Sequence, residues 1–206
     1  MADPNPSVQK VRSWWFIIII ATAVAVAFNL PKIIARLGGG PALGSGSAVQ
    51  EPLATEATDL LSYQNQADGY AFSYPASWVK QEGALQTSVL FITGADPGDN
   101  PASLSAVKIK LDAHMPLYDF SDGTLRQLKQ DFPDLTIFKS ERTQWAGQNG
   151  FRVVYAATTN QRLIKTAQTW MVRNNIIYII GFGGSPESYE KYQAAAEKVM
   201  ASFRFL

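Results

Sequence analysis

The chain contains no cysteine and only one histidine, His114, among its 206 residues. The lack of cysteine excludes disulfides, thiolate metal sites, cysteine nucleophiles and thiolate-ligated iron–sulfur clusters. A serine triad would have to use His114, yet the hydrolase motif G-x-S-x-G does not occur in the sequence. These shortages favour a non-catalytic protein, and the sequence points to no catalytic residue, no cofactor and no small-molecule substrate.

Charge is also scarce, because 17% of the residues are charged and the formal net charge is +1. A typical soluble domain is about one quarter charged, so the low fraction is consistent with part of the chain lying in lipid. The small net charge creates no general attraction to nucleic acid, and we expect no nucleic-acid partner. The stretch 38–69 contains acidic residues but no lysine or arginine, which separates it from the regions on either side.

The longest uncharged apolar run begins at Trp14 and reads WWFIIIIATAVAVAFNL. Its 17 residues are close to the shortest length that can span a bilayer. Apolar residues continue after it, and the charged ends of Lys32 and Arg36 can extend toward the headgroups, so a longer helix can cross with some tilt. The sequence therefore predicts an N-terminal segment at 1–13 and a transmembrane helix at 14–37. The residues expected to hold this helix in the bilayer are Trp14, Trp15, Phe16, Ile17, Ile18, Ile19, Ile20, Phe28 and Leu30.

A cleaved signal peptide is the alternative interpretation of this run. Lys10 and Arg12 precede it, and the small residues Ala23-Val24-Ala25 or Ala25-Val26-Ala27 resemble a cleavage site. The uncleaved anchor is favoured because the run is longer than the usual core of a signal peptide and because basic residues follow it. Basic residues flank both ends, so the positive-inside rule barely distinguishes the two orientations. We expect the N-terminus in the cytoplasm and the C-terminal domain across the membrane.

The stretch 38–68 begins with glycine, serine and other small residues, a composition typical of a flexible linker. A flexible chain of this length has a root-mean-square span of roughly 30 Å. Such a tether would let the following domain search a neighbouring complex while it stays near the membrane. Thr58–Tyr63 could form a short helix or a docked strand at the end of the linker, and the folded domain is predicted to span 69–206.

The pattern of apolar residues in this C-terminal domain predicts both strands and helices. Asp119–Phe132 repeats at helical spacing, with Ser121 or Asp122 as its cap, and Ser185 is expected to cap a final helix. Ile176–Ile180 is apolar on both sides, which predicts a central strand covered by helices on both faces of a sheet.

Two tight turns are predicted between strands. One lies in the connection Gly147–Gly150, where Asn149-Gly150 is the turn signal, and the other is at Asn174-Asn175. Asparagine and glycine tolerate the positive φ angles that two-residue hairpin turns require. Strands joined by hairpins lie antiparallel to each other. The sequence therefore predicts an α+β fold with a mainly antiparallel central sheet.

A recognisable pattern begins at Gly69, where GYAFSYPASW gives a strand that ends in Tyr-Pro and is followed by a tryptophan. This pattern resembles the opening motif of the PsbP family. Gly150–Tyr155 is similar to a hairpin of that family, and Ala201-Ser202-Phe203 is similar to its closing V-x-S-F. The resemblance covers roughly residues 69–206 and implies an α/β/α sandwich on the lumenal side of a photosynthetic membrane.

Members of the PsbP family are extrinsic or assembly proteins of photosystems, and PsbP itself supports the retention of calcium and chloride. The resemblance therefore implies photosystem subunits as partners and makes calcium the candidate ion. This chain departs from the family at its front end, because family members usually have a cleaved targeting peptide or a lipidated cysteine. The long N-terminal region that PsbP uses for ion retention has no counterpart in the linker 38–68.

Two loose groups of side chains could bind an ion. Asp96, Asp99 and Asn100 resemble a calcium loop in composition, but they lack the further ligands and final glutamate of an EF-hand. Aspartate, asparagine, glycine and proline are also ordinary turn residues, so a plain turn is the alternative. The second group of possible ligands is Asp112, His114, Asp119 and Asp122. No metal-binding residue of the PsbP family can be assigned to a position here, and the metal site is left unknown.

Five basic residues lie on three successive predicted strands, and they could form a face that docks on an acidic partner. They are Arg142, Arg152, Arg162, Lys165 and Arg173. We expect a non-enzymatic accessory or assembly subunit, anchored in the thylakoid membrane, whose lumenal domain docks on a photosystem. The alternative is a general bacterial envelope protein with a periplasmic PsbP-like binding domain.

Overall fold

A computed structural model describes residues 59–83, 89–93, 101–111 and 113–206, and this part of the chain forms strands and two helices. The strands are β1 Leu60–Asn65, β2 Tyr70–Pro75, β3 Val79–Glu82, β4 Val89–Ile92, β5 Ser103–Lys110, β6 Thr136–Trp145, β7 Gln148–Thr159, β8 Arg162–Arg173, β9 Ile176–Gly184 and β10 Arg204–Phe205. The helices are α1 Leu117–Asp131 and α2 Pro186–Ala201.

The large sheet has seven strands in the order β3-β4-β5-β9-β8-β7-β6, and every neighbouring pair is antiparallel. The strands β1, β2 and β10 form a second, smaller sheet in the order β1-β2-β10. Strand β9 is in the middle of the large sheet, as its apolar sequence predicted. Ile177 and Ile179 point to one face of the sheet, whereas Tyr178 and Ile180 point to the other. The prediction of an α+β fold with a mainly antiparallel sheet is confirmed.

Helix α1 covers one face of the large sheet, and an aromatic cluster holds it there. Trp170 is fully buried, stacks on Phe151 at 5.6 Å between ring centroids and meets the edge of Phe120 at 5.8 Å. The indole Nε1 donates to the Ser121 hydroxyl at 2.8 Å. Because both the ring and its polar hydrogen are satisfied, this contact fixes α1 over the middle of the sheet.

Helix α2 and the small sheet share the opposite face. Phe72 of β2 meets Phe91 of β4 at 5.5 Å between ring centroids, which places the small sheet over that end of the large one. Phe203, just after α2, lies 4.4 Å from the Trp145 ring, and the Trp145 indole donates to the Met200 carbonyl at 2.8 Å. The three layers form the α/β/α sandwich that the resemblance implied.

Strand β1 lies within the stretch 38–68 that the sequence assigned to the linker. It pairs with β2 along its whole length, from Leu60 opposite Pro75 to Asn65 opposite Tyr70. The Tyr63 side chain accounts for the docking, because it is buried among aromatic rings of the core. The folded unit therefore starts ahead of residue 69, and the strand alternative considered for this segment is the one observed.

The turn predicted at Asn149-Gly150 is wrong. Both residues belong to β7, opposite Gln144 and Thr143, and the hairpin turns at Ala146 and Gly147 with φ angles of 48° and 73°. Glycine at 150 avoids a tight contact, since a Cβ there would lie 3.3 Å from the Trp170 carbonyl oxygen. The turn at Asn174-Asn175 is confirmed, with φ angles of 51° and 61°.

The two helix starts differ from each other in how well the sequence predicted them. Helix α2 is capped as expected, because the Ser185 hydroxyl accepts a hydrogen bond from the Ser188 amide at 3.2 Å. Helix α1 begins before the predicted caps, and its N-cap, Pro116, makes no side-chain hydrogen bond. Ser121 lies inside the helix and donates to the Leu117 carbonyl, so it serves the Trp170 contact rather than the cap.

Candidate functional site

A groove of about 600 Å³ lies between α2 and the strands β6, β7 and β8. We call it the α2 groove. It is on the sheet face that α2 and the small sheet share, at the end away from β4. Its volume is in the range of small-molecule and side-chain pockets. Its lining residues are Phe138, Lys139, Arg152, Val154, Lys165, Tyr189, Gln193 and Glu197.

Strand alternation decides which side chains enter the α2 groove. In β7, Phe151 and Val153 pack in the core beneath α1. Because successive side chains of a strand point to opposite faces, Arg152 and Val154 face the groove. In β8, Lys165 stands opposite Ala156 of β7 and reaches the same face. The floor of the groove is therefore set by the register of the central hairpins.

Two ion pairs join the floor of the groove to α2. Arg152 pairs with Glu197 and also donates to the Thr169 hydroxyl at 3.3 Å. Lys165 pairs with Glu190. In both pairs the cation is the more buried partner, because the Arg152 and Lys165 side chains are 16% and 22% exposed and their glutamates 38% and 61%. The cations lie inside, and the more exposed carboxylates stand at the rim.

Aromatic rings flank the Lys165 ammonium group on two sides. Its Nζ lies 4.7 Å from the centroid of the Tyr189 ring and 5.3 Å from that of Phe138. Phe138 is nonetheless 59% exposed. A bulge between Ile137 and Lys139 interrupts the strand register at Phe138, which accounts for a large apolar side chain at the rim of the groove.

Burial also affects the tyrosine that borders the groove. Removal from water, with a smaller contribution from the nearby Glu197 carboxylate, raises the pKa of Tyr189 to about 12. Tyr155, on the α1 side of β7, is also buried, and desolvation raises its pKa well above the usual value of a phenol. Both phenols are therefore neutral throughout the physiological range.

The five basic residues predicted as a docking face do not form one surface. Arg152 and Lys165 line the α2 groove. Arg142 lies on the opposite face of the sheet, where its Cζ is 4.0 Å from the centroid of the Tyr118 ring of α1. The register explains the split, since Arg142 is opposite Phe151, a residue of the α1 core.

The other two predicted basic residues occupy the two ends of β8. Arg173 lies over Phe205 of the small sheet, with 4.1 Å between its Cζ and the ring centroid. Arg162 is exposed beside the turn that joins β7 to β8, opposite Thr159. Of the five, Arg152 and Lys165 are therefore the two that the fold brings together in a concave site.

The predicted anchor falls outside the described residues. This holds for the segments 1–13 and 14–37 and for each of the anchor side chains named above. Neither α1 nor α2, the helices of the described ranges, has the length and apolar character of a membrane span. Membrane anchoring stays a prediction from the sequence.

The two groups of candidate metal ligands have different outcomes. Asp96, Asp99 and Asn100, together with Asp112, lie outside the described residues. His114, Asp119 and Asp122 are described and exposed. Within the ranges that the structure describes, no three histidine, aspartate or glutamate side chains are grouped closely enough to hold a metal ion.

Several groove residues were missed at the level of sequence. Glu197 and Gln193 have the character of ordinary solvent-facing positions of an amphipathic helix, and only the tertiary fold brings them to β7. Phe138 carried a weak signal, because a phenylalanine follows Ile137 and breaks the alternation that a regular edge strand would show. A β-bulge accounts for such a break.

The fold and the groove together define an α+β sandwich domain with a charged cleft beside its C-terminal helix. The chain belongs to the family of PsbP-like proteins, whose family model matches residues 15–205. The family resemblance noted in the sequence is thereby confirmed. No curated protein matches the chain at the level of sequence.

Solved structures share the fold at low sequence identity. Cyanobacterial PsbP (CyanoP) from Synechocystis sp. PCC 6803 aligns with a TM-score of 0.53 and 16% identity, over 80% of this chain and 99% of its own. PA94 from Pseudomonas aeruginosa gives 0.52 and 14% over 69% and 94%. The Ran-binding protein Mog1p from Saccharomyces cerevisiae gives 0.52 and 6% over 71% and 95%. These likenesses establish the fold alone.

Proposed function

We propose that this chain is a membrane-anchored, non-enzymatic accessory protein whose PsbP-like domain docks on a protein complex of a photosynthetic membrane. The observation that carries the proposal is the family match over residues 15–205. The likeness to cyanobacterial PsbP over 99% of that chain supports the same interpretation. The chain would assist assembly of that complex or remain bound to it, and any catalysis would be carried out by the complex.

The family match also supports the anchor in this proposal. It begins at residue 15, so it takes in the apolar run as well as the folded domain. A hydrophobic helix at 14–37 would hold the N-terminus in the cytoplasm and the domain in the lumen of the thylakoid or in the periplasm. Tethering raises the local concentration of the domain near membrane complexes, so a modest docking affinity is sufficient.

The α2 groove is the surface we assign to docking. It combines an arginine, a lysine and exposed aromatic area, and arginine and aromatic side chains are enriched where proteins bind each other. Arg152 and Lys165 are held on the floor, while their carboxylate partners stand exposed at the rim. A partner that offers a carboxylate next to an apolar side chain would exchange with Glu190 and cover Phe138 in the same contact.

A general envelope function is the second candidate, and it does not require a photosynthetic membrane. PA94, which shares the fold over 94% of its length, comes from Pseudomonas aeruginosa, so this fold is not restricted to photosynthetic membranes. Under this alternative the domain would bind a periplasmic partner. The two candidates differ in the proteins that should copurify with the chain.

Copurification of the full chain from native photosynthetic membranes, solubilised in mild detergent, tests the proposal. We expect photosystem subunits with the wild type and several-fold fewer with Arg152→Gln/Lys165→Gln. The matched control is Arg142→Gln, which removes a basic residue from the opposite face and should leave copurification unchanged.

Recovery of envelope proteins without photosystem subunits would replace the leading proposal with the alternative. Equal recovery with both variants would leave photosystem association intact and exclude the groove as its surface.

A further inference from the structure

Strand β6 forms one edge of the seven-stranded sheet, and among the described residues no further strand lies beside it. It has ten residues, most of them exposed. An edge strand of this length presents a row of backbone donors and acceptors that can pair with another strand. Proteins commonly protect such an edge with charges and bulges, and β6 has both.

The charged side chains of β6 are arranged so that they are complementary to a second copy of the same strand. Lys139 and Glu141 flank Ser140 on the same face of the strand, and their side chains form an ion pair of 2.8 Å. We propose that β6 pairs antiparallel with β6 of a second copy of this chain, about a two-fold axis that lies between the two copies of Ser140. Lys139 of each copy then stands opposite Glu141 of the other.

The geometry of an antiparallel pair allows few registers. Side chains that stand opposite each other must lie on the same face, so, with a two-fold axis perpendicular to the joined sheet, one residue must stand opposite its own copy. A register centred on Lys139, Glu141 or Arg142 would set like charges against each other. A register centred on Ser140 sets unlike charges together twice, and opposite charges across a strand pair stabilise it.

The bulge confines this pairing to the charged part of the strand. It interrupts the register at Phe138, whose ring lies near Lys165 in the α2 groove rather than along the sheet edge. The residues from Lys139 onward return to a regular register with β7. Pairing through Ser140 therefore joins the two sheets and brings the α2 grooves of the two copies to the same side of the dimer.

The other edge of the sheet supplies a matched control. Strand β3 carries the same pattern, with Lys80 and Glu82 on either side of Gln81 and an ion pair of 2.9 Å. It has only four residues, and Lys80 lies 5.5 Å from the Tyr63 ring of the small sheet. Because so short a strand offers few backbone hydrogen bonds, we expect no pairing of copies at this edge.

The absence of cysteine from the chain makes a direct test simple. Residues opposite each other in an antiparallel pair have Cα atoms about 4.5–5.5 Å apart, which is a distance that a disulfide can bridge. The full chain carrying Ser140→Cys, in membranes of a host without photosystems, is oxidised and run on a non-reducing gel. We expect a covalent dimer, and we expect none with Gln81→Cys at the matched position of β3.

Charge variants in the Ser140→Cys background test the register. Lys139→Glu or Glu141→Lys alone places like charges opposite each other at two symmetric contacts, so cross-linking should slow about tenfold. The double exchange Lys139→Glu/Glu141→Lys restores unlike pairs and should restore the rate. The double exchange Lys80→Glu/Glu82→Lys on β3 should have no effect. High salt should slow the cross-linking of the parent, because exposed ion pairs are screened.

Three results would overturn the proposal. If the Ser140→Cys variant stays a monomer and its new thiol reacts readily with a maleimide, the edge is open. If the variant stays a monomer and the thiol is protected, another segment of the same chain covers the edge. A disulfide to a different protein would assign the edge to another partner. Since the host has no photosystems, a failure here leaves the proposed docking function untouched.

Discussion

The two faces of the large sheet are covered in different ways. On one face, α1 is fixed by the stack of Trp170 on Phe151 and by the hydrogen bond from its indole to Ser121. On the other face, α2 and the small sheet enclose a core around Phe203, but the end above β6 and β7 remains a groove lined by charged residues. The first face is closed by apolar packing, and the second is closed only in part.

This difference separates residues that hold the fold together from residues that are available to a partner. On the α1 face, an arginine such as Arg142 covers an aromatic ring of the helix. On the α2 face, Arg152 and Lys165 are held in place by glutamates that remain exposed at the rim. Arg142 thus covers a ring on one face, whereas on the other face Arg152 and Lys165 form ion pairs whose carboxylates a partner can reach.

The largest expected effect is the loss of Trp170 on the closed face. Trp170→Ala should lower the free energy of unfolding by about 3–5 kcal/mol, because it leaves a cavity between α1 and the sheet. Phe138→Ala, which removes an aromatic side chain from the groove rim, should change it by about 0.5 kcal/mol or less. Urea unfolding of the full chain in detergent measures both. Equal losses would contradict the distinction between the two faces.

A smaller effect is expected where β9 passes beneath the start of α2. A Cβ at Gly184 would lie 2.9 Å from the Cβ of Ala102, so Gly184→Ala should cost about 1–3 kcal/mol through overpacking. The second substitution Ala102→Gly removes the clashing atom and should recover part of this loss. If thermal unfolding shows no difference between Gly184→Ala and wild type, this end of the α2 face is less tightly packed than described.

The smallest effect is a dependence of stability on alkaline pH. The folded state raises the pKa of Tyr189 to about 12 and raises that of Tyr155 as well, in both cases chiefly through burial. Above about pH 10 the unfolded chain releases these protons while the folded chain retains them, so stability should fall as the pH rises. Below the pKa of a free phenol the contribution is fully present.

Phenylalanine substitutions assign this alkaline effect to the two faces. Tyr155→Phe should flatten the loss of stability between about pH 9 and 11 more than Tyr189→Phe does, because desolvation raises the pKa of Tyr155 further above the usual value of a phenol. Unfolding by urea at several pH values measures the slope of each variant. A steeper alkaline loss in either variant than in wild type would contradict the assignment.

The sequence predicted those elements whose own residues determine their place. Ile176–Ile180 is apolar on both sides, so it had to be a central strand, and Ser185 with Pro186 had to begin a helix. The turn at Asn149-Gly150 failed because the chain reverses earlier, at Ala146 and Gly147, and residue 150 lies in a strand that packs closely against the Trp170 backbone. The strand β1 was only one of two alternatives, since its docking depends on the distant core around Tyr63.

The candidate site was predictable only in part, for a similar reason. Arg152 and Lys165 were singled out by charge on neighbouring strands, and the structure brings them into one groove. Their partners Glu197 and Glu190 lie on a helix that follows much later in the chain, so only the tertiary fold reveals the pairs. Splitting Arg142 from this group required the strand register.

The most direct measurement of the central claim is photo-crosslinking from the rim of the α2 groove. The full chain, with a photoreactive phenylalanine analogue at position 138, would be irradiated in native photosynthetic membranes and its adducts identified by mass spectrometry. We expect adducts with photosystem subunits from position 138 and none from the same analogue at the exposed position 126 of α1. Adducts from position 126 alone, or none from either position, would contradict docking through the groove.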